Sequence, residues 1–166
     1  MEAKQPIMKG KKPNVEVGCQ APNFRLPWKP GQTVELSHWL GKPVVLIFYP
    51  GNWEPVSMDQ LLAYQEALAE GTPFQAIFAA ISVDHPWSHL AFARQLRLSF
   101  PLLSDFQPRG KAARAYGVFR NHDGIAERAL FVIDPQGNVR WSYISPLCLN
   151  PGLDGILSAL EGLKSA

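Results

Sequence analysis

Few side chains in this sequence can do covalent chemistry. Two cysteines, Cys19 and Cys148, and four histidines, His38, His85, His89 and His122, are spread along 166 residues. Two thiols do not build a disulfide framework, nor do they close a four-ligand zinc site, and neither C-x-x-C nor H-E-x-x-H occurs. No metal is expected. The remaining reactive candidate is Ser57, with Glu54 three residues before it. A nucleophilic serine needs an adjacent base, normally histidine. No histidine lies in Pro50-Gly51-Asn52-Trp53-Glu54-Pro55-Val56-Ser57, so a hydrolase based on Ser57 and Glu54 requires folding to bring an imidazole to it. Cys148 precedes the last expected helix and reads as a half-buried thiol, while Cys19 reads as a surface or edge thiol. A displaced redox role is the alternative for each. A disulfide between them is not expected in a reducing compartment.

The elements that must position these groups follow from periodicity. Val44-Val45-Leu46-Ile47-Phe48-Tyr49, between Pro43 and Pro50, predicts a strand buried on both faces. The stretches 74–83 and 129–133 predict two more, the latter closed by the turn Asp134-Pro135-Gln136-Gly137 and followed by an alternating strand over 138–144. A weaker pair, 23–28 and 33–36, brackets Pro30-Gly31. Helices are expected from Ser57 to Glu70, with an apolar stripe of Met58, Leu61, Leu62, Gln65 and Leu68, then from His89 to Arg97 and from Gly110 to Tyr116. A last helix is expected with Asn150 as cap and Pro151 at its first position, docking Leu153, Ile156, Leu157, Leu160 and Leu163. The order β-α-β-α, β-hairpin, α implies a mixed sheet with helices on both faces.

Composition narrows the function classes. Hydrophobic residues at 46% and charged residues at 18% mark a folded chain. Residues 1–14 are expected to be a flexible basic leader, with Lys4, Lys9, Lys11 and Lys12 against Glu2, and 15–166 a single domain. A net charge of +2, concentrated in that leader, argues against nucleic-acid binding. No apolar run suits a membrane span and no apolar secretory leader is visible, so the cytoplasm is the expected location.

Several segments resemble one family. Val17-Gly18-Cys19-Gln20-Ala21-Pro22-Asn23-Phe24 is similar to its V-G-x-x-A-P-x-F, and the run from Leu36 to Leu46 (LSHWLGKPVVL) to its L-S-x-x-x-G-K-x-V-V-L. Ile81-Ser82-Val83-Asp84 with Ser88-His89 is similar to I-S-V-D-x-x-x-S-H, and the run from Arg128 to Gly137 to R-x-x-F-V-I-D-x-x-G. In this order they resemble a peroxiredoxin of the alkyl hydroperoxide reductase/thiol-specific antioxidant family. The resemblance implies an α/β thioredoxin-like fold and reduction of hydrogen peroxide or alkyl hydroperoxides by a cysteine. It implies a thiol reductant as second substrate, and no metal, haem or flavin. A homodimer is expected, with Trp53, Trp87 and Phe119 forming a candidate apolar patch.

The family's site is P-x-x-x-T/S-x-x-C plus an arginine. Pro50 and Arg128 match it. Glu54 stands at the hydroxyl position and Ser57 at the peroxidatic cysteine position. A thiolate at a helix N-terminus attacks the O–O bond and becomes a sulfenic acid, whereas a serine hydroxyl is neither ionised near neutral pH nor as polarisable. Ionised Glu54 has no proton to donate to a peroxide, and it can pair with Arg128 across the former anion site. The chain is therefore expected to lack thiol-peroxidase activity unless Cys148 or Cys19 substitutes. The alternative is a non-catalytic binding protein that partners an active relative. Natural decay and deliberate Cys-to-Ser replacement both explain Ser57, and Glu54, which a replacement would leave as a hydroxyl residue, favours decay.

Overall fold

The computed structural model describes residues 12–164. The expected basic leader therefore lies outside the described residues up to residue 11. The chain opens with an antiparallel hairpin, β1 (Arg25–Lys29) and β2 (Gln32–Glu35), which leads into a 3-10 turn, Leu36–Trp39. The main sheet is built from β3 (Val44–Phe48), β4 (Ile77–Ser82), β5 (Leu102–Ser104), β8 (Arg128–Ile133) and β9 (Val139–Ser145). Its spatial order is β5-β4-β3-β8-β9. The strands β3, β4 and β5 are parallel, while β8 runs against β3 and β9 against β8. A small ribbon, β6 (Phe119–Arg120) with β7 (Ile125–Ala126), turns at Asp123-Gly124. The helices are α1 (Pro55–Glu70), α2 (Pro86–Leu96), α3 (Lys111–Ala115) and α4 (Asp154–Lys164).

The unbroken apolar run of β3 is explained by two cores. Val44, Leu46 and Phe48 face one cluster, with Leu36, Ala113, Tyr116 and Phe131. Val45, Ile47 and Tyr49 face the other, with Leu61 and Tyr64 of α1, Phe92 of α2, and Ile156 and Leu160 of α4. Successive side chains point to opposite faces of a strand, so a central strand covered on both sides must be apolar throughout. The mixed sheet with helices on both faces, thioredoxin-like in kind, is the one expected.

Some boundaries differ from the sequence reading. Strand β5 escaped periodicity because three residues after Pro101 are too few to show any. Helix α1 starts at Pro55 and α2 at Pro86, since each proline occupies a first helical turn whose amide has no partner to lose. Asn150 does not cap α4. Its Oδ1 accepts from the Gly152 amide at 2.9 Å, and Gly152 at φ +67° lies outside helical space, which delays the helix to Asp154. On α1 Leu61 is buried and Met58 and Leu68 pack on the same core, as the stripe predicts, and the buried face extends beyond it to Tyr64 and to Ser57 and Gln60, which bond the buried Arg128 of β8.

Candidate active site

The site forms where β3 ends and α1 begins. Pro50 is buried directly after the strand. The Asn52 amide donates to Asp84 Oδ2 at 2.9 Å, pinning the loop to the end of β4. Trp53 then adopts φ +67°, a left-handed conformation that a bulky residue enters only at a cost. That turn sets Glu54 as N-cap and Pro55 in the first turn of α1.

Glu54 closes the helix terminus with its own carboxylate. Its Oε1 accepts from the Val56 amide at 3.0 Å. Its Oε2 accepts from the Ser57 amide at 2.8 Å, from Ser57 Oγ at 2.6 Å and from Arg128 Nη2 at 2.8 Å. Burial pushes the carboxyl pKa up, but the bonds from Ser57, Arg128 and Val56 outweigh it and hold the group at about 2. The negative charge also meets the positive end of α1.

Arg128 enters from β8 and is fully buried. A guanidinium offers five N–H donors. Here Nε donates to the Leu147 carbonyl at 3.0 Å, Nη1 to Ser57 Oγ and to Gln60 Oε1, both at 3.0 Å, and Nη2 to Glu54 and to the Leu147 carbonyl at 2.7 Å. Every donor is used. Ser57, with no exposed surface, lies between the two charges, giving its proton to Glu54 and accepting from Arg128. The anion-binding groups of the helix end and the arginine are thus gathered around a carboxylate from the same chain.

Of the residues singled out in the sequence, Ser57, Glu54 and Arg128 are hydrogen-bonded together, with Pro50 at the start of the same loop. Among the described residues no imidazole bonds to Ser57. His38, His85 and His122 are exposed, and His89 is buried elsewhere. The carboxylate that does accept from Ser57, Glu54 with a pKa of about 2, is too weak a base to activate an alcohol as a serine hydrolase requires. Cys148 is exposed, not half-buried, because it falls in the turn after β9, next to the Leu147 carbonyl that Arg128 holds. Cys19 is also exposed, on the segment whose carbonyl accepts from the Val139 amide at 2.9 Å. Both thiols are free. Trp53 and Trp87 are 51% and 63% exposed, but Phe119 is buried in the core that holds Phe48 and Phe131 and does not join them; Phe106, 41% exposed, lies instead beside His85.

Sequence reasoning missed Gln60 and the Leu147 carbonyl. Gln60 bonds both Arg128 and Tyr64, whose hydroxyl reaches the Gly152 carbonyl at 3.0 Å. The helical spacing of Ser57, Gln60 and Tyr64 was the available signal. A backbone carbonyl leaves none. A second buried polar group was also missed. His89 Nε2 faces the Leu103 carbonyl at 3.1 Å, and Nδ1 faces Asn52 Nδ2 at 3.1 Å and the Tyr49 hydroxyl at 3.3 Å. It ties α2 and β5 to the loop that carries Trp53.

Among the described residues no helix is long and apolar enough to cross a membrane. The AhpC/TSA family model matches residues 17–142. Alkyl hydroperoxide reductase E of Mycobacterium tuberculosis is 38% identical over 129 residues, which are 77% of this chain and 84% of that protein. Among solved structures, peroxidoxin BcpB from Mycobacterium tuberculosis superposes with a TM-score of 0.81 at 29% identity, covering 90% of this chain and 98% of its own. Mycobacterium tuberculosis AhpC gives 0.78 at 25%, covering 91% and 94%. The motif order and the mixed sheet therefore converge with these likenesses, and the chain belongs to the AhpC/TSA family of peroxiredoxins.

Proposed function

We propose that this peroxiredoxin homologue does not turn over hydroperoxides at Ser57, because its anion site is held by its own Glu54. The observation that carries the reading is the Glu54 carboxylate on Arg128 at 2.8 Å and on the first amides of α1. A hydroperoxide would have to displace an ionised carboxylate whose pKa is about 2, and would then meet an alcohol in place of a thiolate. The catalytic positions of the family correspond to Pro50, Glu54, Ser57 and Arg128, and no metal, haem or flavin is needed at them. Cys148 and Cys19 are the alternative thiols, and through either the chain would use a hydroperoxide and a thiol reductant. The proposed setting is the cytoplasm, as a homodimer that binds no nucleic acid.

Peroxide consumption with dithiothreitol tests the reading on three proteins. The unmodified chain should show no turnover. Ser57→Cys should recover little, since Glu54 still occupies the arginine. Adding Glu54→Thr should raise the rate by about a hundredfold over Ser57→Cys, the scale of restoring one electrostatic contact to a reacting group. Rapid turnover by the unmodified chain overturns the proposal, and loss of that turnover in Cys148→Ala or Cys19→Ala identifies the thiol at work.

A second reading, a non-catalytic interaction protein that partners an active relative, is favoured by the exposure of Trp53 and Phe106 on loops and of Trp87 in the first turn of α2. Absence of activity in the Glu54→Thr/Ser57→Cys protein, with its fold intact, favours that reading.

A further inference from the structure

A cavity of about 830 Å³ opens at the β5 edge of the sheet, between the β1–β2 hairpin and the C-terminal half of α2. None of Pro50, Glu54, Ser57 and Arg128 lines it. Its walls are Trp28 and Trp39 on one side and Leu90, Leu98 and Phe100 on the other. Trp28 and Trp39 pack on one core and Leu98 and Phe100 on the other, so the cavity lies where the layers meet around the edge of the sheet. Its size is in the range of small-molecule sites, about 300–1,000 Å³.

The charge on this cavity has one sign. Lys29, Arg94 and Arg97 line it, all three exposed, and no aspartate or glutamate does. Among the described residues Arg94 and Arg97 form no ion pair, and Lys29 lies over the Trp28 ring at 4.1 Å. Arg94 and Arg97 are one turn apart at the end of α2, where cations are favoured by the helix dipole. The dipole accounts for cations at a helix end. It does not account for a third cation across the cavity on β1. The chain's own N-terminal stretch is a poor occupant, since Lys4, Lys9 and Lys11 would bring more positive charge.

We propose that this cavity binds an amphipathic carboxylate, a free fatty acid anion, with its alkyl chain between Trp28, Trp39 and Phe100 and its carboxylate on Arg94 and Arg97. Apolar lining accounts for retention of the chain, and guanidinium forks match a carboxylate in bidentate geometry. The site is independent of the chemistry at Ser57.

Isothermal titration of the full chain with dodecanoate, kept below its micelle-forming concentration, tests the proposal. The expected result is saturable one-to-one binding with a Kd of about 100 μM or tighter. Dodecyltrimethylammonium, with the same chain and the opposite charge, should not bind. Arg94→Gln with Arg97→Asn should weaken dodecanoate binding by about tenfold or more. Both positions are exposed, and asparagine tolerates the left-handed backbone of Arg97 at φ +53°, so the fold is preserved. Ala93→Phe, which fills the cavity without altering its charge, should abolish binding. No saturable binding, equal binding of the cationic amphiphile, or unchanged affinity in the double variant would each overturn the assignment.

Discussion

Arg128 and Glu54 show how a buried charge is made tolerable and why the loss of its partner is costly. A guanidinium with no exposed surface needs all its donors engaged and a counter-charge nearby. Glu54 supplies the counter-charge, and its side chain is 35% exposed, so solvent screens part of the pair. Glu54→Gln should therefore destabilise the protein by about 1–2 kcal/mol in urea unfolding, below the loss seen when fully buried pairs are broken. The pH dependence is set by the lowered pKa. The carboxyl titrates at an ordinary 4.5 when unfolded and at about 2 when folded, so its contribution is complete above 4.5 and is lost as the pH falls towards 2. The difference in Tm between the native chain and Glu54→Gln should be constant near neutrality and shrink across that window. A difference that stays constant down to pH 2 would mean that the carboxylate is not stabilised by folding.

At the scale of elements, loops are held by buried polar links more than by propensity. His89 connects α2, β5 and the loop that leads into α1. Burial lowers its pKa to about 4, outweighing the Asp84 charge and the carbonyls of Leu103 and Ser82, which act to raise it. The unfolded chain takes up this proton first as pH falls, so stability is intact above about 6.5 and declines towards 4. His89→Gln should be less stable at neutral pH but show a flatter stability profile between those values. A steric constraint acts at Gly110, which precedes α3 at φ +70°, where an added Cβ would meet the Phe119 ring. Gly110→Ala combines left-handed strain with overpacking and should cost about 2 kcal/mol or more in chemical unfolding. An unchanged midpoint would show that the ring moves aside freely.

At the scale of the molecule, the exposed aromatic groups are unevenly placed. Trp53 packs edge-on against Phe92, 4.9 Å between ring centroids, yet keeps half its surface in solvent. With Phe106 and with Trp87 in the first turn of α2 it leaves exposed apolar surface, the kind of surface that a partner covers. Light scattering at micromolar concentration should give a dimer mass for the native chain and a monomer mass for Trp87→Glu, with no loss of helical circular dichroism. A native monomer would count against the homodimer, and a dimer unaffected by Trp87→Glu would place the interface elsewhere.

The central strands, the β8–β9 hairpin and the principal helices were legible in the sequence, because a strand covered on both faces must be apolar throughout and a docked helix must repeat its apolar residues every turn. The motif order around Pro50 and Arg128 likewise identified the family, and the opposite charges of Glu54 and Arg128 already made a pair chemically reasonable. Short elements such as β5, the polar extension of the buried face of α1 and the delayed start of α4 were not legible, since three residues carry no period and a buried arginine draws in polar side chains that an apolar stripe does not mark. Only the tertiary structure decided that Phe119 is buried, that Cys148 is exposed, and that Gln60 and the Leu147 carbonyl complete the bonds of Arg128. The physical reason is distance along the chain: periodicity is a local property, whereas burial and hydrogen-bond partnership depend on residues that only folding brings into contact.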